Sequence, residues 1–224
     1  MKRILAEAIG TMLLVTAVVG SGAMAENLTE DTGVALLLNA VSTVSALWLL
    51  ILLFSPISGA HFNPLVTWAE YFLKRMTLTD ALTYILAQFL GGILGAILAN
   101  LMFGHPAIFP SHHIRNGVGL FLGEVIATAG LLLIIHMLSL QGRSQFTPIA
   151  VAMWIGSAYF FTSSTSFANP AVTLARTLSD TFSGIALSSL TLFLLAQSLG
   201  ALIGTLSGRY LGKLTKLEKE EIHG

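Results

Sequence analysis

The sequence predicts an all-α membrane protein: a bundle of six transmembrane helices plus two re-entrant half-helices, arranged as an inverted repeat. Three observations lead there. The chain is 54% hydrophobic and only 10% charged, with a mean hydropathy of +0.81, far sparser in charge than a soluble domain of 224 residues. Two tripeptides, Asn63-Pro64-Leu65 and Asn169-Pro170-Ala171, each follow an apolar run and open a short helical pattern. A set of landmarks recurs in the same order in both halves. Net charge is zero, so no basic surface invites nucleic acid, and the absence of cysteine excludes disulfides and thiolate metal sites.

Apolar runs long enough to span a bilayer lie at 4–24, 33–54, 80–103, 117–140, 147–162 and 185–208, the fifth being the shortest. The first resembles a secretory signal, with Lys2 and Arg3 ahead of it and Ala23-Met24-Ala25 behind. Glu7 inside it argues otherwise, and so does its counterpart. Ala6-Glu7-Ala8-Ile9-Gly10-Thr11 matches Gly123-Glu124-Val125-Ile126-Ala127-Thr128 at an offset of 117 residues. Asn63 and Asn169 are 106 apart, and Gln88 and Gln197, within similar Leu-Ala-Gln segments, 109 apart. The first run is therefore kept as a span.

Asn is a strong N-cap and Pro favours the first helical position, so each tripeptide starts a helix. The first half-helix is placed at 63–73, stopped by Lys74 and Arg75, and the second at 169–179. Ten residues give ~15 Å, about half the hydrocarbon core. Three spans per half is odd, so the second half enters from the opposite face. The organisation is then a first repeat over 1–104, a central outer loop over 105–116, a second repeat over 117–210 and a cytoplasmic tail over 211–224.

Lys2, Arg3, Lys74, Arg75, Arg143, Arg209, Lys213, Lys216 and Lys219 share one side, cytoplasmic by the positive-inside rule, which places both termini in the cytoplasm. Glu26, Glu30, Asp31, Arg115 and Asp180 fall opposite.

The segments Ser58-Gly59-Ala60-His61-Phe62-Asn63-Pro64-Leu65-Val66-Thr67 and Phe167-Ala168-Asn169-Pro170-Ala171-Val172-Thr173 resemble those of the major intrinsic protein family, the aquaporins and aquaglyceroporins. The resemblance covers essentially the whole chain. It implies a right-handed bundle, a homotetramer with one pore per subunit, and a passive channel without cofactor. Asn63 and Asn169 are then the pore midplane residues, donating amide N–H to the passing solute; read alone, they are N-caps consumed by backbone. His61 is expected in the cytoplasmic vestibule.

Glu7 and Glu124 are read as loop anchors, accepting hydrogen bonds from re-entrant backbone that would otherwise go unpaired in hydrocarbon; the plainer reading is that they snorkel. Gln88 and Gln197 are expected to act similarly. Gly91, Gly95, Gly200, Gly204 and Gly208 have small-xxx-small spacing and are read as packing. His105, His112 and His113 are read as solvated loop residues and not as a metal site, and His136 is given no role. Arg209 to Glu221 is read as a solvated helix end.

Water and glycerol channels of the resembled family carry Arg directly after the second motif, where this chain has Val172. The resemblance implies an outer constriction there, whose other three positions, carried over from the family by their spacing from the two motifs, fall on Thr43, Ser157 and Ser166. Taken alone, such hydroxyls bond the preceding turn's carbonyl. Taken as pore lining, they make a wide, uncharged, hydroxyl-rich opening. Val in place of Arg also resembles a bacterial subgroup associated with trivalent arsenic, which implies arsenite and glycerol-like polyols as solutes, some water, and a bacterial inner membrane. Arg176 either returns a positive charge to the pore or pairs near the outer surface, with carbonyls or with Asp180. A water-selective aquaporin and an ion-coupled secondary transporter are the alternatives; no enzyme is expected, since no nucleophile–base or metal constellation lies at depth.

Overall fold

The computed structural model describes the backbone of residues 1–223 and side chains through Lys213, so most of the expected tail at 211–224 lies outside the described side chains. Eight α-helices follow in order among the described residues: α1 (Lys2–Leu28), α2 (Thr32–Ser58), α3 (Pro64–Phe72), α4 (Leu78–Met102), α5 (Val118–Leu140), α6 (Thr147–Phe161), α7 (Pro170–Arg176) and α8 (Leu190–His223).

Five of them, α1, α2, α4, α5 and α8, are long and apolar enough to cross a membrane. The expected fifth span is shorter than the others. α6 has 15 residues, ~22 Å against a core of ~30 Å, and the chain covers the remaining depth as an irregular loop leading to Asn169. α3 closely matches its expected bounds. α7 stops at Arg176 instead of 179 because tertiary bonds take over the backbone: the carbonyls of Thr177 and Leu178 accept from Ser111 and Phe109 N–H, each at 3.0 Å, and Phe109 and Ser179 form a parallel bridge. Residues of the 105–116 loop thus pack on the segment after α7, held also by Asn100 Nδ2 on the Leu178 carbonyl at 2.8 Å.

The core follows the repeat. α1 packs most closely on α4, and α5 on α8. A Cβ at Gly91 or Gly95 would collide with the Ala8 or Met12 carbonyl of α1, and one at Gly200 or Gly204 with the Val125 or Ala129 carbonyl of α5. The small residues let two helix backbones touch, which is the packing read from the sequence. Outward-facing positions carry Leu37, Leu49, Leu52, Leu53, Leu86, Leu90 and Leu94, each more than half exposed, a surface suited to lipid and not to water.

Candidate functional site

The site is built by the two loops that feed the half-helices. Residues at matching positions of the repeat take left-handed backbone: Gly59, Ala60 and Phe62 (φ 90°, 51° and 48°) and Thr165, Ser166 and Ala168 (62°, 54° and 48°). Such φ values are strained for residues with a Cβ and persist only where the surroundings fix them. Here a buried carboxylate fixes each loop. Glu7 Oε1 accepts from Ser58 Oγ (2.6 Å) and His61 N–H (3.0 Å), and Oε2 from Phe62 N–H (2.7 Å) and Gln88 Nε2 (2.8 Å). Glu124 Oε1 accepts from Phe167 N–H (2.9 Å), and Oε2 from Ala168 N–H (2.9 Å) and Gln197 Nε2 (2.6 Å). Both carboxylates are fully buried and do not snorkel. Every oxygen meets donors only, which suits the ionised form.

The glutamines extend the frame. Gln88 Nε2 also reaches Thr67 Oγ1 (2.9 Å), which donates to the Asn63 carbonyl, and Gln197 Nε2 reaches Thr173 Oγ1 (2.8 Å), which donates to the Asn169 carbonyl. Sequence reasoning passed over Thr67 and Thr173. The available signal was a Thr four residues after each motif Asn, one helical turn on.

Asn63 caps α3 through Leu65 N–H, and Asn169 caps α7 through Ala171 and Val172 N–H. Their amide nitrogens cross over: Asn63 Nδ2 donates to the Ala168 carbonyl at 2.8 Å and Asn169 Nδ2 to the Phe62 carbonyl at 2.7 Å. Each NH₂ has two hydrogens, so one donor per Asn remains after capping and crossing. The plain capping reading holds for the oxygens only.

Both asparagines face a cavity of about 340 Å³ that runs through the bundle, from Glu70, Arg75 and Ser144 at one end to Ser166 and Arg176 at the other. Helical stripes line it: Thr43, Leu47, Ile51 and Ser55 on α2, and Thr147, Val151, Ile155 and Tyr159 on α6, each four residues apart. The loops contribute Gly59, Ala60, His61, Phe167 and Ala168. Among the described residues the carbonyls of Gly59, Ala60 and His61 receive no hydrogen bond, which leaves three acceptors on residues of the cavity wall. His61 holds Thr67 Oγ1 through Nδ1 at 3.0 Å and also borders a pocket with Lys2, Arg3 and Lys74, on the basic face.

Of the four residues expected at the constriction, Thr43, Ser166 and Val172 line this cavity, all buried. Ser157 does not. It is exposed on the outside of α6, because it sits two residues from both Ile155 and Tyr159, ~200° around the helix. Tyr159 takes the wall position, its hydroxyl 3.3 Å from Thr43 Oγ1. Back-bonding to the preceding turn is seen at Ser45 and Ser55, while Thr43 makes no such bond among the described residues and Ser166 Oγ is buried without a partner.

Arg176 is turned inward, 2% exposed, and does not pair with Asp180. Its Nε donates to the Ser183 carbonyl, and its guanidinium lies 3.3 Å from the centre of the Phe167 ring. Arg115 approaches the same ring at 5.3 Å and donates to the carbonyls of Gly184 (2.9 Å) and Phe182 (3.2 Å). Asp180 is occupied by His112 instead, through its N–H at 2.8 Å and Nδ1 at 3.0 Å, with His113 Nε2 at 3.7 Å. His105 stacks on Phe109. His136 is buried with neither ring nitrogen partnered among the described residues.

A family model described as major intrinsic protein matches residues 1–167, ending two residues before Asn169. The chain is 43% identical over 210 residues to the aquaglyceroporin AqpS of Rhizobium meliloti (strain 1021), covering 94% of this chain and 90% of that protein. It is 27% identical over 230 residues to the glycerol uptake facilitator protein-like 6 of Lactiplantibacillus plantarum, with 95% and 99% covered. Among solved structures, that of the aquaglyceroporin from Plasmodium falciparum is similar with a TM-score of 0.74 at 20% identity, over 96% of this chain and 98% of that one, a likeness of fold.

Proposed function

Since the chain belongs to the major intrinsic protein family, we propose that it is a passive transmembrane channel for small neutral solutes, chiefly trivalent metalloid hydroxides such as arsenite and glycerol-like polyols, with some water. One observation carries the reading: a cavity crosses the bundle between Asn63 and Asn169, and the wall position directly after the second motif is the short, apolar Val172. A polyol or As(OH)₃ needs donors and acceptors along its path and room for more than a water molecule. The spare Asn donors, the free loop carbonyls and the hydroxyls of Thr43, Ser166 and Tyr159 supply the first, and Val172 leaves the second.

The relatives support the class of solute, being an aquaglyceroporin and a glycerol uptake facilitator-like protein by name. Water selectivity is disfavoured because no guanidinium stands at position 172. Ion-coupled transport is disfavoured because the only deep carboxylates among the described residues, Glu7 and Glu124, are saturated by loop donors. The basic face is assigned to the cytoplasm with both termini, the membrane to a bacterial inner membrane, and the assembly to a homotetramer packed through the aliphatic faces.

The test is flux in proteoliposomes, by shrink–swell for water, glycerol and urea and by elemental analysis for arsenite. Non-saturating glycerol and arsenite flux with weak temperature dependence and no proton current is expected. Dependence on a pH or sodium gradient would refute a channel, and flux of water alone would refute the solute assignment.

A further inference from the structure

A second cavity, of about 330 Å³, lies beside the far end of the channel, bordered by Thr32 and Gly33 at the start of α2, by Thr165 and Phe182, and by Arg115 and Arg176. Arg176 belongs to the walls of both cavities. Its Nε is spent on the Ser183 carbonyl, but among the described residues its two terminal nitrogens have no hydrogen-bond partner, and the residue lines both cavities. Arg115 uses Nε and one terminal nitrogen on loop carbonyls, and the other has no hydrogen-bond partner among the described residues.

Neither arginine has a carboxylate partner among the described residues. The nearby acids are committed elsewhere: Glu124 to the loop, Asp31 to Gly33 and Val34 N–H as the α2 cap, and Asp180 to His112 and His113. Both guanidinium carbons approach the one Phe167 ring, Arg176 at 3.3 Å and Arg115 at 5.3 Å from its centre, a cation–π attraction that favours both charges here. Two rigid forks with unspent donors around an open pocket are the donor set that planar or tetrahedral oxyanions take, by two-pronged hydrogen bonding that an ammonium group cannot reproduce.

We propose that this pocket binds a small soluble oxyanion of the sulfate or phosphate class between Arg115 and Arg176, and that the bound ion obstructs the channel mouth. The second clause rests on the channel reading, because Arg176 is shared by the two cavities; the first does not.

Calorimetric titration of sodium sulfate into the purified full-length protein, at constant ionic strength set with chloride, tests binding free of general screening. Saturable uptake of one sulfate per chain is expected, weakened at least tenfold in Arg115→Gln and in Arg176→Gln, and less in Arg115→Lys, which keeps the charge but not the fork. Absence of saturable binding to the parent protein overturns the site whatever the variants do. In proteoliposomes with sulfate on both sides, glycerol flux should fall along the same saturation curve. Flux that is present but indifferent to sulfate overturns the obstruction. Sulfate binding with no flux at all would overturn the channel reading and leave the site standing.

Discussion

Replacing either buried glutamate by glutamine should destabilise the protein by about the same amount, and the hydrogen bonds give its size. Glu124 holds Phe167 N–H on one oxygen and Ala168 N–H on the other; Glu7 holds His61 and Phe62 N–H in the same way. A glutamine keeps the shape but offers one acceptor and one donor. Ser58, Gln88 and Gln197 can reverse their side-chain groups to suit it, and Oε1 of both glutamines is an unused acceptor. A backbone N–H cannot reverse. Whichever way the new amide turns, one loop N–H loses a bond to a charged acceptor, a loss of about 1.5–3 kcal/mol. That is roughly a ten- to hundredfold change in the folding equilibrium. Glu124→Ala and Glu7→Ala orphan two N–H groups each and should cost about twice as much. Equilibrium unfolding in mixed detergent, followed by tryptophan fluorescence, reads these differences. If both glutamine variants fall within ~0.5 kcal/mol of the parent, the carboxylates do not hold the loops. If only one is affected, the two halves are not equivalent as argued.

Val172→Arg should cut glycerol and arsenite flux severalfold while sparing water, because it adds a long cation beside Thr43, Ser166 and Tyr159; equal polyol flux in the folded variant would show that position 172 does not set the width. Arg176→Leu removes the positive charge at the far end of the channel and should admit protons or sodium, read in proteoliposomes with a pH-sensitive and a sodium-sensitive dye; unaltered exclusion would take Arg176 out of the selectivity mechanism. For Asp180 burial alone would raise the carboxyl, but the His112 N–H and ring and the His113 ring outweigh it and hold the group below its usual value. A depressed carboxyl stabilises the fold above its ordinary range near ~3.9 and stops doing so as pH falls through its lower folded value. The loop carrying His112 should therefore gain hydrogen exchange in acid below that range, and Asp180→Asn should flatten this pH dependence.

Local rules made part of this site legible. Asn63 and Asn169 announce themselves because capping and an N1 proline are matters of adjacent residues, and Glu7 and Glu124 because repetition singles out a carboxylate twice in apolar surroundings. Ser157 was misplaced for a physical reason. Counting back from Asn169 to α6 crosses a loop with three left-handed residues, where helical period no longer measures position. The stripe Val151, Ile155 and Tyr159, counted within α6 itself, preserves register. The early end of α7 and the stacking of Arg115 on Phe167 were illegible because both depend on backbone carbonyls brought together from distant parts of the chain.

The crossing of the two asparagine amides has an architectural consequence. Asn63 reaches the carbonyl before Asn169, and Asn169 reaches the carbonyl before Asn63. A pair of bonds that a two-fold axis exchanges is the signature of an isologous dimer contact. Two separate copies of a single repeat, inserted in opposite directions, would already possess this clasp and the passage that it borders. Joining them in one polypeptide adds no new contact at the centre. What fusion supplies is permission for the copies to diverge, so that Leu65 can stand in one motif where Ala171 stands in the other, and Glu70 can stand at one end of the passage where its counterpart at the other is Arg176.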